Sequence, residues 1–218
     1  VIFSSSTFDL QDNKSSRTVY KVPVDGGERS TVENLGDIYT SPSISPDGQL
    51  KLLTKEIKVK PLLGKDRHPD LDQSDVYVFD ELTYRHWDQW EDGKFSHLFL
   101  ENFETGEVTD LMPGEPYDCP QQPFGGSDDY TWNPSGNQVI YVSKKEYGTA
   151  YTLSTNTDLY AYDLTTGQTK NLTPNNKGYD THPVFNHDGQ LAWLQMDEAG
   201  YESDKNDIIL YRDGQPIN

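Results

Sequence analysis

Apolar positions along this chain come in short runs, and the runs are punctuated by glycine. "SPSISPDGQLKLLTKEI", "YTWNPSGNQVIYVSKKE" and "HPVFNHDGQLAWLQMDE" share one plan: a strand, a tight turn, then an apolar strand. The turn glycines are Gly48, Gly136 and Gly189, each where a positive φ is needed. A second pattern follows: "TVYKVPVDGGERSTV", "HLFLENFETGEVTDLM", "DLYAYDLTTGQTKNLT" and "IILYRDGQPI" are strand, turn, strand around Gly26, Gly106, Gly167 and Gly214. Two alternating hairpins make a four-stranded antiparallel meander, the blade of a β-propeller. No stretch sustains a helical period, so the pattern predicts an all-β fold and excludes an α/β one.

The phase of the repeats sets the expected organisation. Residues 1–36 read as a partial blade, 37–117 and 118–179 as complete ones, and 180–218 as a partial one that stops around its final strand. About four blades are fewer than many closed rings carry. The expectation is an incomplete propeller, a piece of a larger, seven-bladed ring, whose open strand edges invite a homodimer. One unit carries an excursion: 58 residues separate Gly48 from Gly106, against 31 between Gly136 and Gly167. Long excursions inside compact repeats are functional or disordered, and the tryptophans in this one argue against disorder.

Composition narrows the function classes. Apolar residues make up only 33% of the chain but aromatic ones 12%, so the buried area comes from rings on short strands. A formal charge of −18 leaves nothing to neutralise phosphates and excludes nucleic acid as a partner. The same charge attracts cationic groups such as a peptide amine, or serves solubility alone. No apolar run is long enough to span a membrane as a helix. The chain starts at Val1 with no leader in view, and its one cysteine, Cys119, rules out an internal disulfide.

Motifs for chemistry are sparse. The nearest string to a nucleophile elbow, Gly125-Gly126-Ser127-Asp128-Asp129, lacks the final glycine, and no phosphate-cradling glycine loop occurs. Asp70, Asp72 and Ser74 have calcium-loop spacing with Glu81 at the twelfth position, but Asp75 stands where that loop needs glycine. His182 and His187 read as turn histidines, and "NKS" and "NLT" are sequons only in a eukaryotic secretory setting. The expectation is therefore no catalytic residue, no metal and no cofactor. "TYRHWDQWEDGKFSHLFL", residues 83–100, stands apart because rings and ionisable groups alternate. It is either a pocket for a charged, partly apolar ligand or a loop plugged into its own blade with tryptophans as core. In the first case Asp88 or Glu101 would meet an ammonium, with Trp87 and Trp90 adding cation–π contact.

These residues also carry a resemblance. "RHWDQWEDGKFSHLFLEN", "GEPYDCPQQPFGGSDDYTWNPSGNQVIY", "TAYTLSTNTDLYAYDLTTG" and "GYDTHPVFNHDGQLAWLQMDEAGYESDK" resemble the propeller of dipeptidyl peptidase V-type enzymes, in the prolyl oligopeptidase family of serine peptidases. The likeness runs from about residue 37 onward. It implies an N-terminal propeller that gates and positions short peptides for a C-terminal α/β-hydrolase domain, in a bacterial, exported exopeptidase that releases dipeptides. The propeller alone would be inactive. The paired glutamates with which a related branch holds the substrate amine are not recognisable here. On the resemblance, Asp88, Glu101 and Glu202 are the candidates for the amine. Trp87, Trp90, Tyr117 and Tyr201 would shape the side-chain pockets, and His86 would face substrate or the hydrolase domain. The rival expectation is a free-standing propeller that binds a protein partner, similar to the periplasmic propeller of the Tol system.

Overall fold

The structure, a computed structural model, describes residues 2–9, 14–34, 43–71, 73, 75–212 and 214–218. The chain forms two compact units, 1–42 and 43–218. The first is a three-stranded antiparallel sheet of β1 (Ile2–Asp9), β2 (Lys14–Lys21) and β3 (Ser30–Asn34). Gly26, at φ +93°, turns the chain between β2 and β3, and the Arg29 guanidinium lies 4.5 Å over the Tyr20 ring.

The second unit holds three four-stranded antiparallel meanders, the blades of a β-propeller. In the first meander, β4 (Ser43–Ile44) and β5 (Leu50–Lys58) are followed by an inserted hairpin of β6 (Arg85–His86) and β7 (Gln89–Trp90); β8 (Lys94–Asn102) and β9 (Val108–Asp110) complete it. The second is β10 (Tyr130–Trp132), β11 (Gln138–Ser143), β12 (Asp158–Asp163) and β13 (Gln168–Asn171). The third is β14 (Asp180–Phe185), β15 (Leu191–Gln195), β16 (Asp207–Arg212) and β17 (Gln215–Ile217). The sheet expected to be partial at 180–218 thus has four strands: Gln215–Ile217 pairs with β16 because Gly214 closes the last hairpin at φ +79°. The expected blade start at residue 37 lies outside the described residues.

The turn glycines follow two rules. Gly48, Gly136 and Gly189 each donate N–H to the carbonyl three residues back, Gly106 and Gly167 to the one four residues back, and all five have φ between +66° and +80°. A short polar side chain holds each turn from within. Asp47, Asn102, Asn133, Asp163 and Asn186 accept backbone N–H bonds from residues two to four positions further along their own turns.

Strand alternation then builds two cores from one sheet. Val139 and Tyr141 of β11 face Leu52, Leu98, Met112 and Trp132, while Ile140 and Val142 face Leu191, Trp193 and Ile209. The central sheet is buried on both faces, so β11 reads as an unbroken apolar run. Polar groups in these cores are paired. His97 has no solvent exposure; its Nδ1 lies 3.0 and 3.1 Å from the two Asp110 oxygens, and its Nε2 donates to the Glu115 carbonyl at 2.8 Å.

In a four-stranded meander the two hairpin turns lie at one end of the sheet. The link from second to third strand, and the link to the next sheet, lie at the other. The glycine turns therefore mark one end of the unit. Residues 59–93, 144–157 and 196–206, with the inter-sheet links 111–129 and 172–179, gather at the opposite end. No helix among the described residues is long and apolar enough to cross a membrane.

Candidate functional site

The excursion 59–93 is tied at its base by one glycine. Val59 and Lys60 both donate N–H to the Gly93 carbonyl, at 2.8 and 3.0 Å. A Cβ on Gly93 would come within 2.0 Å of the Lys60 carbonyl oxygen, and its φ is +84°, so no other residue fits without displacing the chain. Beyond this knot lies the single-turn α1 (Gly64–Arg67), held back to the following segment by N–H bonds from Gly64 to Val76 and from Val78 to Leu62. Ion pairs Arg67–Asp80, 2.6 Å, and Lys60–Glu81, 3.5 Å, close the rest.

Rings organise the tip. Trp90 packs against Tyr77, Phe79 and Tyr84 at centroid distances of 6.1–6.2 Å, with the Arg85 guanidinium 5.8 Å over its ring. Trp87 sits in the two-residue turn of the β6–β7 hairpin at φ +49°, a conformation that costs a non-glycine residue about 1–2 kcal/mol. It is 67% exposed, between His86 (4.9 Å) and Phe124 (5.8 Å), and Phe124 is 83% exposed. The reading of 83–100 as a loop plugged into its blade with tryptophan core is thereby corrected. Trp90 is half exposed and stacks on rings of its own excursion, which supplies the apolar surface the blade was expected to supply.

Two cavities flank this hairpin. One, of about 260 Å³, lies among Phe79, Leu82, Phe95, Tyr117, Tyr147 and Tyr151; the other, about 550 Å³, among His86, Trp87, Asp88, Trp90, Lys94 and Gln122. Thr83, Glu91, Asp118 and Tyr151 line both. Burial pushes the Asp118 carboxyl up to about 6, against a backbone N–H bond from Ser96 at 2.7 Å that pulls it down. Burial also raises Glu91, while the Lys94 ammonium, 2.7 Å away, overcomes burial at Asp92 and lowers it. Burial raises the Tyr151 hydroxyl to about 12 and holds Tyr117 above its usual range.

The structure brings His86, Trp87, Asp88 and Trp90 to one cavity and Tyr117 to the other. It does not bring Glu101 to either. Glu101 stands seven residues along β8 from Lys94, roughly 23 Å at strand rise, near the glycine-turn end, where it pairs with Lys51 at 3.3 Å. Tyr201 and Glu202 are exposed in the 196–206 link at the correct end, beside α2 (Thr149–Leu153) through a Gly200 N–H bond to Thr155 Oγ1, but line neither cavity.

Glu91, Asp118 and Tyr151 were not singled out by the sequence. The signal that could have found Asp118 is an acidic residue wedged in "PYDCPQ", between a tyrosine and a buried cysteine, in an inter-sheet link.

The remaining motifs resolve structurally. In Gly125–Asp129, the Asp129 carboxylate accepts the Gln121 N–H at 2.8 Å, and a Cβ on Gly125 would stand 2.1 Å from that carboxylate, so the glycine serves packing. His182, at φ +55° beside a strand irregularity, pairs with Asp128 at 2.8 Å, and His187 is a solvated turn residue. Asp72 and Ser74 of the calcium-like string lie outside the described residues. Among the described residues, no group of three or more His, Cys, Asp or Glu side chains is placed to hold a metal.

Known proteins give the frame for this site. Over 170 residues, 76% of the chain, the sequence is 42% identical to dipeptidyl-peptidase 5 of Porphyromonas gingivalis, and over 190 residues, 85% of the chain, 40% identical to dipeptidyl-peptidase 5 of Porphyromonas endodontalis. These matches cover 25% and 27% of the two relatives. No protein-family model matches the chain. In structure, the chain is similar to the acylaminoacyl peptidase of Pyrococcus horikoshii, with a TM-score of 0.59 at 13% identity over 99% of this chain and 37% of that one. It is also similar to TolB from Acinetobacter baumannii, with a TM-score of 0.50 at 14% identity over 100% of this chain and 42% of that one. At such identities these two likenesses bear on the fold alone. The chain is a dipeptidyl-peptidase 5-like propeller part, and it spans about a quarter of the length of the curated relatives it matches.

Proposed function

We propose that this chain is the substrate-gating and positioning propeller of an exported bacterial serine exopeptidase that releases dipeptides from peptide N-termini. Acyl transfer belongs, in this reading, to an α/β-hydrolase domain of the parent protein, and the propeller supplies exclusion and orientation. Holding a peptide so that its scissile bond meets the nucleophile can contribute several orders of magnitude in rate without any reacting group on the propeller.

The observation that carries the reading is Trp87. It is a large ring left 67% exposed, on a backbone that favours glycine, at the tip of an excursion far longer than the links in the other two sheets. Strain and exposed apolar surface kept together at one point favour a surface built to meet something else. The 40–42% identity to dipeptidyl-peptidase 5 supports reading that something as peptide substrate, with the hydrolase domain behind it.

The test is kinetic, in the full-length protein. Trp87→Ala and Asp88→Asn should each lower kcat/KM for dipeptidyl substrates about tenfold or more, mainly through KM, at unchanged thermal stability. Unaltered kinetics for both variants would remove the hairpin from the substrate path. Hydrolysis of a dipeptidyl chromogenic substrate by residues 1–218 alone would remove the division of labour.

A further inference from the structure

We infer that Lys144 is a positioning residue: it fixes Tyr151, a ring that walls both cavities, by tying the end of α2 to the end of β11. This deepens the substrate-positioning reading proposed above and rests on it for its effect on turnover. The tie itself does not depend on that reading.

Tyr151 sits on an element that cannot hold itself. α2 has five residues, far below the length at which a helix persists alone in water, and no side chain caps its start. Thr149, Ala150, Thr152 and Leu153 are exposed, and only Tyr151 turns inward, to line both cavities. The hold on that ring must come from outside the helix.

Lys144 supplies it at three points. It directly follows β11, whose residues 139–143 are all buried, so a rigid sheet sets where its side chain begins. Its Nζ donates to the carbonyl of Ser154, the residue that ends α2, and lies 4.2 Å from the centre of the Tyr151 ring. Its backbone N–H donates to Gln121 Oε1 at 2.9 Å, and the same Gln121 side chain hydrogen-bonds the Tyr151 hydroxyl. Gln121 is held in turn through its N–H, which Asp129 accepts at 2.8 Å. Ring face, hydroxyl and helix end are thus fixed from one strand end and one inter-sheet link.

The ammonium does not serve an ion pair. Among the described residues Lys144 pairs with no carboxylate; burial holds it below the usual lysine range, and Glu146 and Glu202 act on it only through their fields. Lys145, next in the chain, shows the contrast: its ammonium pairs with Glu115 and lies 4.2 Å over Tyr160. An unbranched apolar side chain at 144 would give the same packing without desolvating a charge. What it would lack is the bond to the Ser154 carbonyl and the attraction to the ring.

The experiment compares Lys144→Met, Lys144→Arg, Tyr151→Ala and the double variant Lys144→Met/Tyr151→Ala in the full-length protein. Lys144→Met should lower kcat/KM for dipeptidyl substrates about tenfold when Tyr151 is present, and no more than about twofold when Tyr151 is already Ala. Lys144→Arg, which can reach the same carbonyl and ring, should keep most of the activity. Hydrogen exchange of residues 149–155, read by mass spectrometry, should quicken about tenfold in Lys144→Met and stay close to the parent rate in Lys144→Arg, with the melting temperature of both variants within about 3 °C of the parent. Equal losses in both Tyr151 backgrounds, unchanged exchange, an arginine variant as impaired as the methionine one, or a Lys144→Met protein that fails to fold would each overturn the inference. Trp87→Ala, assayed alongside, separates the two claims. A loss with Trp87→Ala and none with Lys144→Met removes the positioning role and leaves the substrate path. Faster exchange in Lys144→Met, with turnover indifferent to all of these variants, removes the substrate path and leaves the tie.

Discussion

The indole N–H of Trp193 donates to Asp180 Oδ1 at 2.7 Å, and neither side chain meets solvent. Asp180 opens β14 and Trp193 lies on β15, so one buried hydrogen bond ties the first two strands of the third sheet across its packed face. Asn176 donates to the other carboxylate oxygen at 3.2 Å. Asp180→Ala would leave the Trp193 N–H buried and unpaired, while Asn176 keeps its bond to the Met196 carbonyl at 3.0 Å, at a cost of about 2–3 kcal/mol, whereas Asp180→Asn keeps an acceptor and should cost about 1 kcal/mol. Urea unfolding followed by tryptophan fluorescence checks this, and equal midpoints for the two variants would contradict it.

Three buried aspartates give the fold an acid-side optimum. Burial raises Asp118, Asp129 and Asp180 each to about 6, from an ordinary 3.8. Between about pH 4 and 6 the folded chain therefore binds more protons than the unfolded one, and stability must fall as pH rises through that window. Exposed carboxylates act the other way. Hydrogen bonds hold Asp47, Asp66, Asp80, Asp163 and Asp204 low, and their contribution is lost as pH drops below about 4. The melting temperature should be higher at pH 5 than at pH 7.5, and Asp180→Asn should flatten the slope. A melting temperature that climbs from pH 5 to 7.5 would refute the assignment.

Two tryptophans should answer oppositely to truncation. Trp132 is 7% exposed, packs in the core between the first two sheets and donates to the Ser43 carbonyl at 3.2 Å, so Trp132→Ala should cost about 3–5 kcal/mol. Trp87 is mostly solvated and strained, so Trp87→Ala should change stability by no more than about 0.5 kcal/mol. Thermal melts of the two variants decide it. A large loss for Trp87→Ala would mean that the ring is structural.

The knot under the excursion should be intolerant. Gly93→Ala meets the Lys60 carbonyl oxygen on a backbone at φ +84°, and should cost about 2 kcal/mol or more. The loss should be local to 59–93, because the strand pairing of β5 with β8 ends at Lys58 and Lys94. Limited proteolysis is the measurement: new cuts between 59 and 93 with the three sheets still resistant. Uniform digestion would mean that Gly93 supports the whole unit.

Much of the fold was legible because its instructions are short-range. The Asp47–Gly48 and Asn133–Gly136 turns place an Asx acceptor and a left-handed residue within a few positions of each other, so each hairpin announces itself. Strand alternation announced the faces. In the last sheet the final strand, Gln215–Ile217, was legible only through its turn glycine, Gly214, because three exposed residues are too short and too polar to show a period. In the site, His86 to Trp90 were visible as rings among charges, but Glu101 was grouped with them by closeness along the chain. A nine-residue strand carries that closeness to the far end of the sheet.

What the sequence determined by itself is the hairpin series, its glycine punctuation and the one overlong link. Turns and pleats depend on neighbours a few residues away, and those neighbours can be read in order. What only the tertiary structure decided is which carboxylates share a cleft. Glu101 is paired with Lys51 across two strands, while Asp118 and Glu91, from separate links, stand at the same junction. Burial and charge balance are sums over groups that the fold, and not chain order, brings together.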